Sequence, residues 1–162
     1  MKIMGAILIF AAASAAAAAA VRYESRKLNE LDQCCTALRI IAAEVDRLST
    51  TDTIIHRLTE CGRLKSFSYA LEQNFTLSFE ERWINACKSA FSDIDSHELS
   101  EMCSLGGYIG RYERSQELDA LMRATNLLED AAIYERQNSL QKKRTSLGLY
   151  AAAGVLLIII LL

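Results

Sequence analysis

The chain has no proline among its 162 residues. Proline removes a backbone donor and breaks helix interiors, so its complete absence leaves long uninterrupted helices open to this sequence. Aromatic residues are sparse at 7%, with a single tryptophan. A marked excess of one charge is also missing: 18 Lys and Arg stand against 20 Asp and Glu, a formal net charge of −2. A balance this even gives no basic footprint for nucleic acid. The five cysteines contain no C-x-x-C spacing and are odd in number, which argues against both a structural zinc site and a stapled secreted scaffold. No stretch alternates polar and apolar residues long enough to make a strand.

What is present is a separation of apolar from charged sequence. Residues 3–21 and 147–162 carry no charge, and all 20 Asp and Glu lie between them. A helix crossing a bilayer needs roughly 20 apolar residues. The first run has that length. The second, 16 residues at about 1.5 Å each, reaches roughly 24 Å against a hydrocarbon core of about 30 Å. Thinning of the bilayer or snorkelling of Lys142, Lys143 and Arg144 covers the difference. The expected organisation is an N-terminal membrane helix over 1–21, a helical domain over 22–146 and a C-terminal membrane helix over 147–162. Arg22, Arg26 and Lys27 follow the first run, and Lys142-Lys143-Arg144 precedes the second. Basic flanks stay cytoplasmic, so the middle domain is expected on that side of a two-pass protein. Lys2, the apolar run and its Ala-x-Ala sites also fit a cleavable signal peptide, which would make the domain a secreted one.

In the middle domain, Leu28, Leu31, Cys35, Leu38, Ala42, Val45 and Leu48 recur at helical steps and predict one amphipathic helix continuing from the first run. Ser49-Thr50-Thr51-Asp52 ends it and caps a short helix with Ile54, Ile55 and Leu58, stopping at Gly62. A brief helix covers Phe67 to Leu71, followed by a polar turn at Gln73-Asn74. Ser78-Phe79-Glu80-Glu81 is a capping box opening a helix whose stripe is Phe79, Trp83, Cys87 and Phe91. Asp95-Ser96-His97-Glu98 has the pattern of a second box, before Leu99, Met102 and Leu105. Gly106, Gly107 and Gly110 end that helix. The last helix starts near Ser115 and shows Leu118, Leu121, Thr125, Leu128 and Ala132 at helical steps. The fold class is all-α, a helical bundle between two terminal membrane helices.

Candidate chemistry is thin. Asp93, Asp95, His97 and Glu98 cluster within six residues but lack the length and glycine of an EF-hand loop and the second histidine of a zinc helix. Gly106-Gly107-x-x-Gly110 lacks a preceding strand and the Lys-Ser/Thr of a phosphate loop. A membrane-tethered sensor or enzyme built on Cys103, His97 and Asp95 is the alternative class, and it requires a bound metal or a thiol of lowered pKa. The residues themselves favour no catalytic, cofactor or metal site and no small-molecule substrate. In the first run Ala11, Ala15 and Ala19, with Ser14 and Ala18, form a small-residue ladder that suits close helix packing in lipid.

Several segments together resemble one family. They are Met1-Lys-Ile-Met-Gly-Ala6, the leucine-rich region from Leu38 to Glu44, Leu77-Ser-Phe-Glu-Glu-Arg-Trp83, and Leu105-Gly-Gly-Tyr-Ile-Gly-Arg111 with Gln116 downstream. The whole chain resembles stage III sporulation protein AB. Where that family usually carries a Ser-Asp pair after the last glycine, this chain has Tyr112-Glu113. The resemblance implies a non-enzymatic membrane component of the sporulation complex linking mother cell and forespore. More distantly it is similar to the inner-membrane platform protein of type II secretion and type IV pilus systems. By that likeness its partners are the lipid bilayer and other stage III proteins, a secretion-type ATPase among them. Its expected place is the mother-cell side of the outer forespore membrane. Trp83, Gly107, Gly110, Arg111 and Glu113 are the expected partner-contact residues, although the tryptophan taken by itself is most simply a core anchor.

Overall fold

Local sequence signals become helices wherever a cap and an apolar stripe coincide. The computed structural model describes residues 2–73 and 76–161, with side chains described for 21–73 and 76–139 and at Ala15, Ala18 and Ala19. The long helix α1 (Lys2–Asp46) is followed by α2 (Thr51–Glu60), a 3-10 turn (Gly62–Leu64) and α3 (Lys65–Glu72). Then come α4 (Phe79–Ala90), α5 (Ser96–Ser104), a second 3-10 turn (Leu105–Gly107) and α6 (Arg114–Leu161). No strand occurs among the described residues, so the fold is all-α. The chain forms two compact units, one of residues 27–133 and one of residues 1–26 with 134–162.

Within the 27–133 unit, side-chain caps open two of the four short helices, α2 and α4, while α3 and α5 begin without one. Thr50 Oγ1 accepts from Thr53 N at 3.4 Å and opens α2. The Ser78 box forms in full: Ser78 Oγ accepts from Glu81 N at 3.3 Å, while Ser78 N donates to Glu81 Oε2 at 3.0 Å. Those bonds, the Ser78 backbone donor first, hold the Glu81 carboxyl below its usual range. The second expected box does not form. Asp95 occupies the N-cap position of α5 without a side-chain capping bond. Its carboxylate is drawn to Lys27 Nζ at 2.8 Å, and the neighbouring Asp93 N donates to Glu30 Oε2 at 2.8 Å. A long-range charge pair has replaced a local cap.

The core is aromatic at the α3–α4 contact. Phe67 meets Trp83 edge to face, with centroids 5.1 Å apart, and stacks on Phe91 at 5.2 Å. On α1 the expected seam is partly observed. Leu31, Cys35, Leu38 and Val45 are buried, and Leu28 and Ala42 pack against them. Cys34, Ala37 and Ile41 add a second buried stripe. The reason is that α1 is covered from two sides. Cys34 lies near the thiols of Cys87 on α4 and Cys103 on α5, whereas Cys35 and Arg39 face Glu129 on α6. Leu48 departs from the expectation altogether: α1 has ended before it, and it is exposed.

In the unit of terminal segments the backbone is helical in both. Ala15 and Ala19 of the small-residue ladder are exposed, while Ala11 lies outside the described side chains. Among the described residues no helix is long and apolar enough to cross a membrane. The side chains of the two expected spans lie largely outside the described ones, as does the Asn74 half of the Gln73-Asn74 turn.

Candidate partner-contact loop

The chain between α5 and α6 is shaped by one close approach and one left-handed residue. Gly106 lies directly under the Trp83 indole. A Cβ there would come within 2.7 Å of Cδ1 and 2.9 Å of Cγ, a distance no side chain tolerates. Trp83 is itself fixed, 0% exposed, with Nε1 donating to Met102 O at 2.7 Å. The sole tryptophan therefore has no surface to offer a partner, contrary to its expected role in contact. Its part is to seat the 3-10 turn from beneath. Gly107 is different: a Cβ there would meet Glu80 Oε1 at an ordinary 3.5 Å.

Beyond the turn, Ile109 returns to the core and Gly110 takes φ +78°. Glycine is needed at that φ, and a Cβ would also press on Thr51 Oγ1 at 3.0 Å. Glu117, nearly buried on the first turn of α6, organises the segment. Its Oε1 accepts from Gly110 N at 2.7 Å and from Tyr112 N at 3.4 Å. Glu113 O accepts from Gln116 N and Glu117 N at 2.9 and 3.0 Å, which starts α6. Arg111 Nη1 pairs with Glu80 Oε2 at 2.8 Å, tying the loop to α4. Tyr108 and Tyr112 hold their rings 5.1 Å apart at the surface. Arg114 pairs with Asp46 at the end of α1.

The structure thus brings Gly107, Gly110, Arg111 and Glu113 into one surface loop and leaves Trp83 beneath it. The sequence reading placed the α1–α2 turn at Ser49 to Asp52 but missed Glu117 in the loop and Glu44 beneath that turn. The signal for Glu117 was its place one turn into α6, where a carboxylate can reach the amides of the preceding loop. The neighbouring turn holds another buried carboxylate. Glu44, 5% exposed, accepts from Ser49 Oγ at 2.6 Å and from Arg47 Nη1 at 3.0 Å. Ser49 first, then Arg47 and Arg57, hold its carboxyl below the usual range despite burial.

The alternative constellation does not assemble as a unit. Asp95 is paired with Lys27, and His97 is exposed without a hydrogen bond or ion pair among the described residues. No group of ligating side chains suited to a metal occurs among the described residues. Cys103 does have an altered thiol. Hydrogen bonding to the Cys87 thiol lowers it, opposed by burial and helped by Lys88, to about 7. Burial pushes the partner Cys87 thiol far upward. The geometry is that of one thiol of lowered pKa hydrogen-bonded to a second, buried thiol.

No curated protein and no solved structure matches the chain with significance. The family model of stage III sporulation protein AB matches residues 2–162. With the match running over essentially the full length, through the glycine loop and both terminal helices, the chain belongs to the stage III sporulation protein AB family.

Proposed function

We propose that this protein is a membrane-anchored, non-enzymatic assembly component of the stage III sporulation complex between mother cell and forespore. Residues 1–21 and 147–162 serve as membrane helices. The helical unit between them stands on the cytoplasmic, mother-cell side of the outer forespore membrane. There it binds other stage III proteins, a secretion-type ATPase among them, through the loop holding Gly107, Gly110, Arg111 and Glu113. The observation that carries the reading is continuity: residues 3–21 lie within the single helix α1 and residues 147–161 within the single helix α6. The basic clusters after residue 21 and before residue 147 support the orientation. Family membership supports the sporulation stage.

The test is crosslinking and co-purification of the full-length protein from membranes of sporulating cells. Recovery with stage III or secretion-type subunits is expected. Recovery alone, or with unrelated metabolic enzymes, contradicts the reading. The hydrogen-bonded pair of thiols, Cys87 on α4 and Cys103 on α5, favours a second reading, a membrane-tethered thiol sensor or enzyme. A chemical turnover or stoichiometric metal that depends on Cys103 in the purified protein would establish it.

A further inference from the structure

Leu48 stands where the backbone calls for glycine. At the end of α1, Ser49 N donates to Glu44 O and Leu48 N to Val45 O, both at 3.0 Å. These paired return bonds make a Schellman terminus, whose C′ residue takes a left-handed conformation. Leu48 has φ +60° and is the one non-glycine residue with positive φ among those described. A Cβ is disfavoured there, and glycine escapes the penalty. The leucine recovers nothing by packing, because it is 75% exposed. A side chain that breaks a local rule without burial in return points to use of that surface by something outside the chain.

The surroundings specify what that something is. Gly110 abuts Thr51 and Arg114 pairs with Asp46, so the loop with the exposed Tyr108–Tyr112 ring pair lies against the turn carrying Leu48. The arginines at this end are already neutralised: Arg47 by Glu44 at 3.0 Å, Arg111 by Glu80 at 2.8 Å, and Arg114 by Asp46. Asp52 and Glu113 are exposed and have no cationic partner among the described residues. The surface therefore presents Leu48 and the two tyrosines among exposed but ion-paired arginines, with unpaired negative charge at Asp52 and Glu113 beside them.

We propose that Leu48, Tyr108 and Tyr112, with Asp52 and Glu113, form the docking surface for a basic protein partner. Leu48 enters an apolar pocket on that partner, and the two carboxylates meet its lysines or arginines. Complementary charge selects such a partner and disfavours the alternatives. An anionic lipid surface is repelled, and a second copy docking through the same end would bring like charges together. This proposal rests on the reading of the protein as an assembly component and names the chemistry of what it assembles with.

The test uses the full-length protein in membranes of sporulating cells, with a benzophenone amino acid at position 48, at 112 or, as a control, at the exposed Tyr69. Adducts with another polypeptide are expected from 48 and 112 and not from 69, with Lys or Arg in the linked peptide. The adduct from 112 is expected to fall at least tenfold in Leu48→Gly and in an Asp52→Asn, Glu113→Lys double variant. Leu48→Gly should not lower the melting temperature, so a lost adduct in that variant reports binding and not unfolding. No adduct, adducts only with lipid or with a second copy, or an adduct unmoved by these variants would overturn the proposal. If stage III subunits still co-purify with Leu48→Gly as with wild type, this docking surface falls and the assembly role stands. If they fail to co-purify with the wild-type protein, the assembly role itself falls.

Discussion

A Cβ at residue 106 meets the Trp83 ring at 2.7 Å, and one at residue 107 meets only ordinary contact. Adjacent glycines are thus expected to respond differently. Gly106→Ala should cost about 1–3 kcal/mol, as overpacking in a filled core does. Gly107→Ala should stay within about 0.5 kcal/mol of wild type. Thermal or denaturant unfolding of the full-length protein separates the two. Glu117 makes a further residue-scale case. Glu117→Gln keeps an acceptor oxygen for Gly110 N, whereas Glu117→Ala removes it. Hydrogen exchange at the Gly110 amide should accelerate strongly in the alanine variant and little in the glutamine one. The thiols set a pH dependence. Cys103 titrates near 7 in the fold against an ordinary thiol value of 9.0, so it favours the folded state increasingly as pH rises from about 7 to 9. That contribution is lost as pH falls through 7. Cys34, Cys35 and Cys87 are raised by burial, Cys35 to about 11, so above pH 9 they ionise first in the unfolded chain and stability declines. Alkylation by iodoacetamide at pH 7.5 should mark Cys103 far ahead of Cys34 and Cys87, read by peptide mass spectrometry.

At the scale of the element, two similar sequence patterns have different outcomes. Ser78 and Glu81 cap α4 reciprocally, and Ser78→Ala should cost about 1 kcal/mol. Asp95 makes no capping bond, so Asp95→Ala should cost less, through its ion pair with Lys27 alone. Equilibrium unfolding of both variants checks the order. The first box was legible because a cap is local, its partners three residues apart. The second misled because Lys27 lies 68 residues away and no short-range pattern records it. The α1 seam shows the same limit. Leu31, Cys35, Leu38 and Val45 were readable from a single stripe. Cys34, Ala37 and Ile41 were not, since their burial comes from helices packing on a second side. Leu48 read as seam because its spacing is helical, but the two return bonds to Glu44 and Val45 end the helix before it. In the loop, the glycines announced a turn. Which of them touches Trp83, and that Glu117 holds the amides, depended on the tertiary contact between α4 and the α5–α6 segment.

At the scale of the molecule, α1 and α6 each have residues in both compact units, and they hold residues 3–21 and 147–161 of the uncharged terminal runs. The bundle is closed by contacts of α1 with α6, such as Arg39–Glu129 at 2.6 Å and Arg114–Asp46, and by the aromatic contact of α3 with α4. The account assigns the terminal runs to the bilayer and the α1–α2 and α5–α6 turns to partners. Its central claim is that both ends anchor the chain independently. Alkaline carbonate extraction of membranes from sporulating cells tests this most directly, applied to the full-length protein, to variants lacking residues 3–21 or 147–162, and to one lacking both. The account predicts that the full chain and each single deletion stay in the membrane pellet and that the double deletion is released. Release of the full-length protein by carbonate would contradict it.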